Sequence, residues 1–358
     1  MHVSQTKEEI AYSHLKKLIA SPQFNPGDLL PTEMEISREL GINRITIAKA
    51  LSSLKNEGFV ARRAGRGTTL LRKPASSSAN LIMVISPWPS WDIRNEWYFS
   101  RLLYSIQTEA IRNGMATINL AVHAETVEEE DFAKIRDIYN AVECRGAIVA
   151  DPYIATQHHL QTFLRQLDCR SVWAGATPHE TNNAHIIDID DYQASFDLTK
   201  KLIELKCRRP AYISFQINSV ARAKRLQGYK DALAAMKIDL DERYIIWNGF
   251  PASLIDAGSE CAGIYAARGL DADSFILSDL LMFEGIRKFC TEIQTPQLKK
   301  LIKLPVATFD FRGNTSYPNI KFTSVQPIEQ VGKEAVEMLV SYSEEKQIRL
   351  IPAEILSF

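Results

Sequence analysis

Residues 26–70 read PGDLLPTEMEISRELGINRITIAKALSSLKNEGFVARRAGRGTTL, and the order of signals in this stretch decides the N-terminal fold. Thr32-Glu33-Met34-Glu35 has the form of a capping box, in which the Thr32 hydroxyl accepts from the third backbone N–H and the Glu35 carboxylate reaches back. The spacing predicts a short helix to Leu40, stopped at Gly41. Asn43 is a second N-cap, before a run to Leu54 in which Ile47, Ala50, Leu51 and Leu54 make an inner stripe and Arg44, Thr46 and Lys49 face outward. After Gly58, Phe59 to Arg62 and Thr68 to Leu71 read as two short strands around the basic turn Arg63-Ala64-Gly65-Arg66-Gly67. Ahead of them, Ile10, Leu15, Leu18 and Ile19 recur at helical spacing through Lys7 to Ala20, and Pro22, Pro26 and Gly27 end that helix. Helix, helix, turn, helix and basic hairpin make an α+β winged helix-turn-helix.

This chemistry suits DNA. A helix N-terminus presents free N–H groups to a phosphate, Arg44 and Thr46 on that turn reach backbone or base edges, and Lys49 lies one turn on. Arg62, Arg63 and Arg66, on a tip flexed by Gly65 and Gly67, can enter a minor groove or sit on its phosphates. Thr32, Glu33 and Asn43 at the helix starts complete the candidate DNA-contacting set. The competing reading is a solvated face of a small protein-interaction domain. Charge favours a polyanion: residues 1–73 carry +5, the remainder −6, and the whole chain −1.

Pro26 to Leu70 resembles the DNA-binding domain of the GntR family, whose pattern runs PGxxLPSExxLAxxxGVSRxTVRxALxxLxxEGxxxxxxGxGT. The resemblance places Arg44 and Thr46 at the family's recognition-helix Arg and Thr, and Gly65, Arg66, Gly67 and Thr68 in its wing. Met34 stands where many members have arginine, and Ala48 where the TVR arginine falls, so no operator sequence carries over.

Residues 74–79, PASSSA, are small and polar and read as a tether. Residues 1–73 are then the DNA-binding domain and 80–358 a second domain. Beyond residue 80, short apolar runs alternate with helical stretches: strands at Leu81 to Ile85, Ala116 to Val122, Ala147 to Ala150, Ile186 to Ile189, Ala211 to Phe215, Tyr244 to Trp247, Phe275 to Leu277 and Val306 to Phe309, with helices between. This order predicts α/β architecture with doubly wound parallel sheets, and the length predicts two of them. Ligands bind beyond the C-terminal strand edges of such sheets. The polar and aromatic residues there are Ser86, Trp88 and Trp91; Asp151 and Tyr153; Asp190; Phe250; Asp279; and Asp310. Arg225 would open a helix after a strand, where its planar fork can serve two ligand oxygens. An Arg with an Asp acceptor and stacking rings suits a neutral polyol. An Asp ending a strand is, on the other hand, as often a helix N-cap.

Collinear pieces of this half resemble the LacI/GalR effector domain and its periplasmic sugar-binding relatives. They are NLIMVIS, ECRGAIVADP, DIDDYQASFDLTKKLIELKCRRPAYIS, ARAKRLQGYKDAL, FILSDLLMFEGIRKF, VATFDFRG and FTSVQPIEQVGKEAVEML. The resemblance implies a two-lobed, type I periplasmic-binding-protein-like domain in which Arg225 and Asp310 contact the ligand and Asp279 matches the Asp of the family's ND pair. Ser278, Phe311 and Cys207 depart from that pattern. A GntR-type reader fused to such a sensor is similar to the arabinose repressor arrangement. It implies a homodimer on palindromic operator DNA, probing a monosaccharide or derivative.

The expected function is a ligand-responsive transcription regulator, a repressor of carbohydrate-utilisation genes. The alternatives are a cytoplasmic sugar-binding protein or a regulator answering a non-sugar ligand. No catalytic motif, cofactor loop or metal-ligand spacing is visible; the five cysteines are scattered, without CxxC, as suits reduced thiols in a cytoplasmic protein. No apolar run approaches the ~20 residues of a membrane span, so no membrane association is expected.

Overall fold

The computed structural model describes residues 6–21, 23–63, 67–72, 81–87, 97–122, 129–142, 144–150, 163–164, 169–175, 177, 185–215, 220–248, 253–311, 313, 317–343 and 345–358. The chain divides into two compact units, Met1–Asn80 and Leu81–Phe358. The division falls after Asn80; residues 73–80, which include the small polar segment 74–79, lie outside the described residues.

In the first unit α1 spans Lys7–Ala20, α2 Glu33–Leu40 and α3 Arg44–Asn56. Thr6 with Glu9, and Thr32 with Glu35, each close a capping box, and Asn43 accepts from the Ile45 N–H at 2.9 Å. Gly41 ends α2 at φ +63°, a left-handed position that a Cβ disfavours. Ala11, Leu15 and Ile19 of α1, Ile36 of α2 and the stripe Ile47, Ala50, Leu51 and Leu54 of α3 form one buried cluster. Each large aliphatic side chain there contributes ~1.5–3 kcal/mol by leaving water. Strands β1 (Val60–Arg63) and β2 (Gly67–Leu70) pair antiparallel, with Val60 opposite Leu70 and Arg63 opposite Gly67. The segment after α1 joins this wing: the Gly27 N–H donates to the Leu70 carbonyl at 2.7 Å and the Leu30 N–H to that of Thr68 at 2.9 Å.

The second unit opens with β3 (Leu81–Pro87), α4 (Trp97–Arg112), β4 (Ala116–Val122), α5 (Glu129–Val142), β5 (Gly146–Val149), β6 (Ser171–Ala174) and β7 (His185–Ile189). It continues with α6 (Asp191–Glu204), β8 (Pro210–Phe215), α7 (Val220–Ala235), β9 (Ile245–Asn248), α8 (Leu254–Ala267), β10 (Ser274–Leu277), α9 (Leu281–Ile293), α10 (Pro296–Leu301), β11 (Val306–Thr308) and β12 (Ile320–Val325). It closes with α11 (Ile328–Val340), β13 (Ile348–Ile351) and β14 (Glu354–Ser357). One sheet has the order β4-β3-β5-β6-β7-β13, the other β9-β8-β10-β11-β12-β14. Every pairing is parallel except β12 with β14.

The inner strands β5, β7, β8, β10 and β11 are buried on both faces, which is why they read as continuous apolar runs rather than alternating ones. The chain passes from the first lobe to the second after β7, returns after β12 into α11 and β13, and passes again to β14. Those crossings lie side by side: the Asp190 N–H donates to the Ile351 carbonyl at 2.9 Å. Strands β6, β12, β13 and β14 and helices α10 and α11 were not expected from periodicity. β6 is only four residues long, and in β13 and β14 the mixed polar pattern of lobe-crossing edge strands hides the period.

Candidate DNA-binding face and ligand cleft

On the first unit the capped N-termini of α2 and α3 meet at Glu33. Its Oε2 accepts from the Arg44 Nε at 3.0 Å, and its Oε1 accepts from an Arg62 terminal nitrogen. Glu33 is only 17% exposed, whereas Arg44 is 70% exposed, so the carboxylate is a fixed post on which the arginine is aimed outward. Arg62 also donates to the Ala48 carbonyl at 3.3 Å and the Ser52 hydroxyl at 3.2 Å. It therefore ties β1 to the flank of α3 instead of standing free on the wing tip. Lys49 is exposed and Thr46 half-buried on the same helix. Thr32 is occupied as the cap of α2 and Asn43 as that of α3. Gly67 starts β2 at φ +84°, and Arg63 pairs with it at the end of the wing. The Arg63 side chain, Gly65 and Arg66 lie outside the described residues.

In the second unit the candidate ligand site is built around Arg225, 8% exposed, in the early part of α7. Its Nε donates to an Asp191 carboxylate oxygen at 2.6 Å, a terminal nitrogen donates to the Ser278 carbonyl at 3.2 Å, and its carbon lies 4.1 Å from the centre of the Phe309 ring. Asp310 stands 3.9 Å from the same guanidinium, an ion pair beyond hydrogen-bond reach. Asp310 has φ +64°, a conformation that short polar side chains tolerate, and the Gln326 amide donates to its carboxylate. Burial works against the charge on Arg225, but the carboxylates of Asp191 and Asp310 outweigh it and hold the guanidinium pKa above its ordinary value. Burial pushes Asp191 up, more than the Arg225 charge draws it down. Tyr98, from the start of α4 in the other lobe, has its hydroxyl pKa pushed well above the usual range by burial and by Asp188, Asp191 and Asp310.

A second charged group lies beside the first and joins the lobes. Lys224 of α7 reaches Asp188 of β7 at 3.3 Å and donates to the Thr177 hydroxyl at 2.9 Å, while Thr177 donates to the same carboxylate. Asp188 also accepts from the Ile189 N–H at 2.8 Å.

The sequence-derived positions are distributed unevenly over this cleft. Arg225 and Asp310 are brought together. Asp279 is buried and accepts from the Leu281 N–H at 2.7 Å, so its carboxylate opens α9. Asp190 accepts from the Gln193 N–H at 3.0 Å and is the N-cap of α6; the carboxylate facing Arg225 belongs to the next residue, Asp191. Ser86 is buried near the C-terminal end of β3. Trp88, Trp91, Asp151, Tyr153 and Phe250 lie outside the described residues. Asp188, Asp191, Lys224, Thr177, Gln326 and Tyr98 were not singled out by sequence. The one available signal was the paired acid in Asp188-Ile189-Asp190-Asp191 at a strand end. Among the described residues no group of His, Cys, Asp and Glu could hold a metal ion, and no helix is long and apolar enough to cross a membrane.

Residues 7–70 match the family described as bacterial regulatory proteins, gntR family. CelR of Thermobifida fusca, an HTH-type transcriptional regulator, is 30% identical over 157 residues, 43% of this chain and 44% of CelR. Less than half the length of that relative is thus spanned, as is also so for RmpR of Mycobacterium gastri at 43%. Longer matches are lower in identity. AscG of Escherichia coli K12 is 25% identical over 87% of this chain and 91% of its own, and the arabinose metabolism transcriptional repressor of Halalkalibacterium halodurans is 20% identical over 96% and 91%. Among solved structures, a transcriptional regulator CelR–cellobiose complex superposes with TM-score 0.64 at 16% identity, covering 91% of this chain and 98% of that one. CcpA of Lactococcus lactis superposes at 0.59 with 19% identity over 77% of this chain and 98% of its own. At these identities the structural likeness establishes the fold. Residues 7–70 thus carry a GntR-type helix-turn-helix module, and behind them stands an α/β domain with the two-sheet fold seen in the CelR and CcpA structures.

Proposed function

We propose that the chain represses carbohydrate-utilisation genes in the cytoplasm, and that a small sugar or sugar derivative held between the two lobes changes its affinity for operator DNA. Residues 1–73 are the reading head, 74–79 the tether and 80–358 the sensor. The observation that carries this reading is the Arg225 fork set between Asp191 and Asp310 at the strand ends, with Phe309 beneath it. Sugar hydroxyls need donors and acceptors together, and an arginine set between two carboxylates supplies both. The relatives support the same reading, since one is an arabinose metabolism repressor and one structural neighbour is a cellobiose complex.

Asp310 accepts hydroxyl protons, Arg225 donates to ring or hydroxyl oxygens, and Asp279 and Ser86 line the strand ends beside them. Arg44, Thr46 and Lys49 face the major groove, while Glu33 and Arg62 hold the reading helix and wing in register. A single winged unit contacts one half-site, so a homodimer on a palindromic operator completes the assembly. Coupling between the sites is about 1–3 kcal/mol and reciprocal.

Thermal unfolding of the full-length protein in the presence of mono- and disaccharides tests the sensor. A binding sugar raises the midpoint, by linkage, and the rise disappears in Arg225→Ala. A panel of neutral sugars that leaves the midpoint unmoved, set against a shift by a non-sugar metabolite, would refute the sugar assignment.

A further inference from the structure

Ile45 is the second residue of α3 and is 67% exposed. It contributes nothing to the buried stripe of Ile47, Ala50, Leu51 and Leu54, and at 100° per residue it shares its outward face with Lys49, one turn on. Immediately before it, Arg44 is docked on Glu33 through Nε with most of its side chain in solvent. A branched aliphatic side chain thus stands in the open between two outward-facing cations, on the first turn of a helix in a DNA-binding domain. Single exposed aliphatic residues are ordinary on proteins, but this one occupies a face whose partner has an apolar group to offer.

The major groove presents that group at one base only, the C5-methyl of thymine, which proteins read by apolar contact, whereas arginine reads guanine O6 and N7. Successive residues of a helix advance by ~1.5 Å and base pairs by ~3.4 Å, so neighbours on a reading helix address the same or the next base pair. We infer that Ile45 is a specificity residue that reads the methyl group of a thymine in the base pair next to the guanine taken by Arg44. This rests on the reading of α3 as the helix that enters the groove.

The test uses duplexes enriched from a random pool by the full-length protein, resynthesised with each thymine replaced singly by deoxyuridine, which removes only the methyl. At a thymine beside a guanine, binding by the natural protein weakens about fourfold, the equivalent of ~0.8 kcal/mol for one buried carbon. Ile45→Ala, whose side chain is exposed and whose thermal midpoint is unchanged, binds the thymine and uracil duplexes alike. Silence of every uracil replacement in the natural protein, or persistence of the difference in Ile45→Ala, overturns the inference. If no duplex is enriched at all, the placement of α3 in the groove fails first, and the role of Ile45 falls with it.

Discussion

The Nε of Arg225 lies 2.6 Å from an Asp191 carboxylate oxygen, and both side chains are almost wholly buried. Burial raises the pKa of Asp191 while its charge and that of Asp310 raise that of Arg225, so each group is tolerable in the interior only beside the other. Removing one partner alone leaves an uncompensated buried charge. Arg225→Met is expected to destabilise the second domain by about 3–5 kcal/mol, and adding Asp191→Asn to recover a measurable part of that loss. Urea unfolding of the two single variants and the double variant checks it; strictly additive losses would mean the pair is not coupled.

Glu33 is a half-buried anion on the face proposed to meet DNA. Its carboxylate costs affinity for any duplex, yet it aims Arg44 and anchors Arg62. Glu33→Gln is therefore expected to strengthen binding to random-sequence DNA severalfold while narrowing the ratio of specific to non-specific affinity. Anisotropy titrations on an enriched and a scrambled duplex, at one salt concentration, give both numbers. A variant that keeps the full ratio would show that Glu33 does not position the arginines.

The capping box of α2 makes stability depend on pH in a known direction. Hydrogen bonds from the Thr32 backbone N–H, and then from its hydroxyl, hold the Glu35 carboxyl below its ordinary pKa. A carboxyl lowered on folding contributes stability that is complete above its unfolded pKa, ~4.3, and is lost as pH falls through the folded value. Glu35→Gln should therefore lower the midpoint of the first domain at pH 7 and change it much less at pH 3. Equal effects at both pH values would assign the loss to something other than the charge.

Two glycines on neighbouring helices separate packing from propensity. A Cβ on Gly285 of α9 would lie 1.8 Å from the Ile255 carbonyl oxygen, whereas one on Gly263 of α8 would meet the Phe289 ring at an ordinary 3.6 Å. Gly285→Ala must push two helix backbones apart and is expected to cost about 3 kcal/mol or more. Gly263→Ala relieves the entropy of a glycine within a helix and should be neutral or stabilising by up to ~1 kcal/mol. Chemical denaturation of the two variants decides the matter.

The first domain was legible almost residue by residue, because caps, glycine stops and a helical stripe are local signals, and Thr32, Gly41, Asn43 and Ile47 act within a few residues of themselves. The doubly wound sheets were legible as alternation, but β6, β12, β13 and β14 were not: their identity comes from neighbours far along the chain, as when Ile351 pairs with Ile189. In the cleft, sequence found Arg225 and Asp310 at strand and helix ends. It chose Asp190 where the facing carboxylate is Asp191, since a turn of one residue decides which of two adjacent acids caps the helix and which turns inward. The Lys224–Asp188 pair was illegible for a different reason: it joins two lobes, and no local pattern records a contact between a helix residue and a strand residue 36 apart. Arg62 was read by its charge, and its burden of three acceptors only appears once β1 lies against α3.

Reciprocal linkage between the cleft and the DNA-binding face is the most direct thing to measure. Titration of an enriched duplex with full-length protein, in the absence and presence of saturating concentrations of individual sugars, should find at least one that changes the dissociation constant by about 5–150-fold, with the same factor recovered when that sugar is titrated against free and DNA-bound protein. A duplex affinity that no sugar alters, including any sugar that demonstrably binds the second domain, would contradict a sugar-controlled reader.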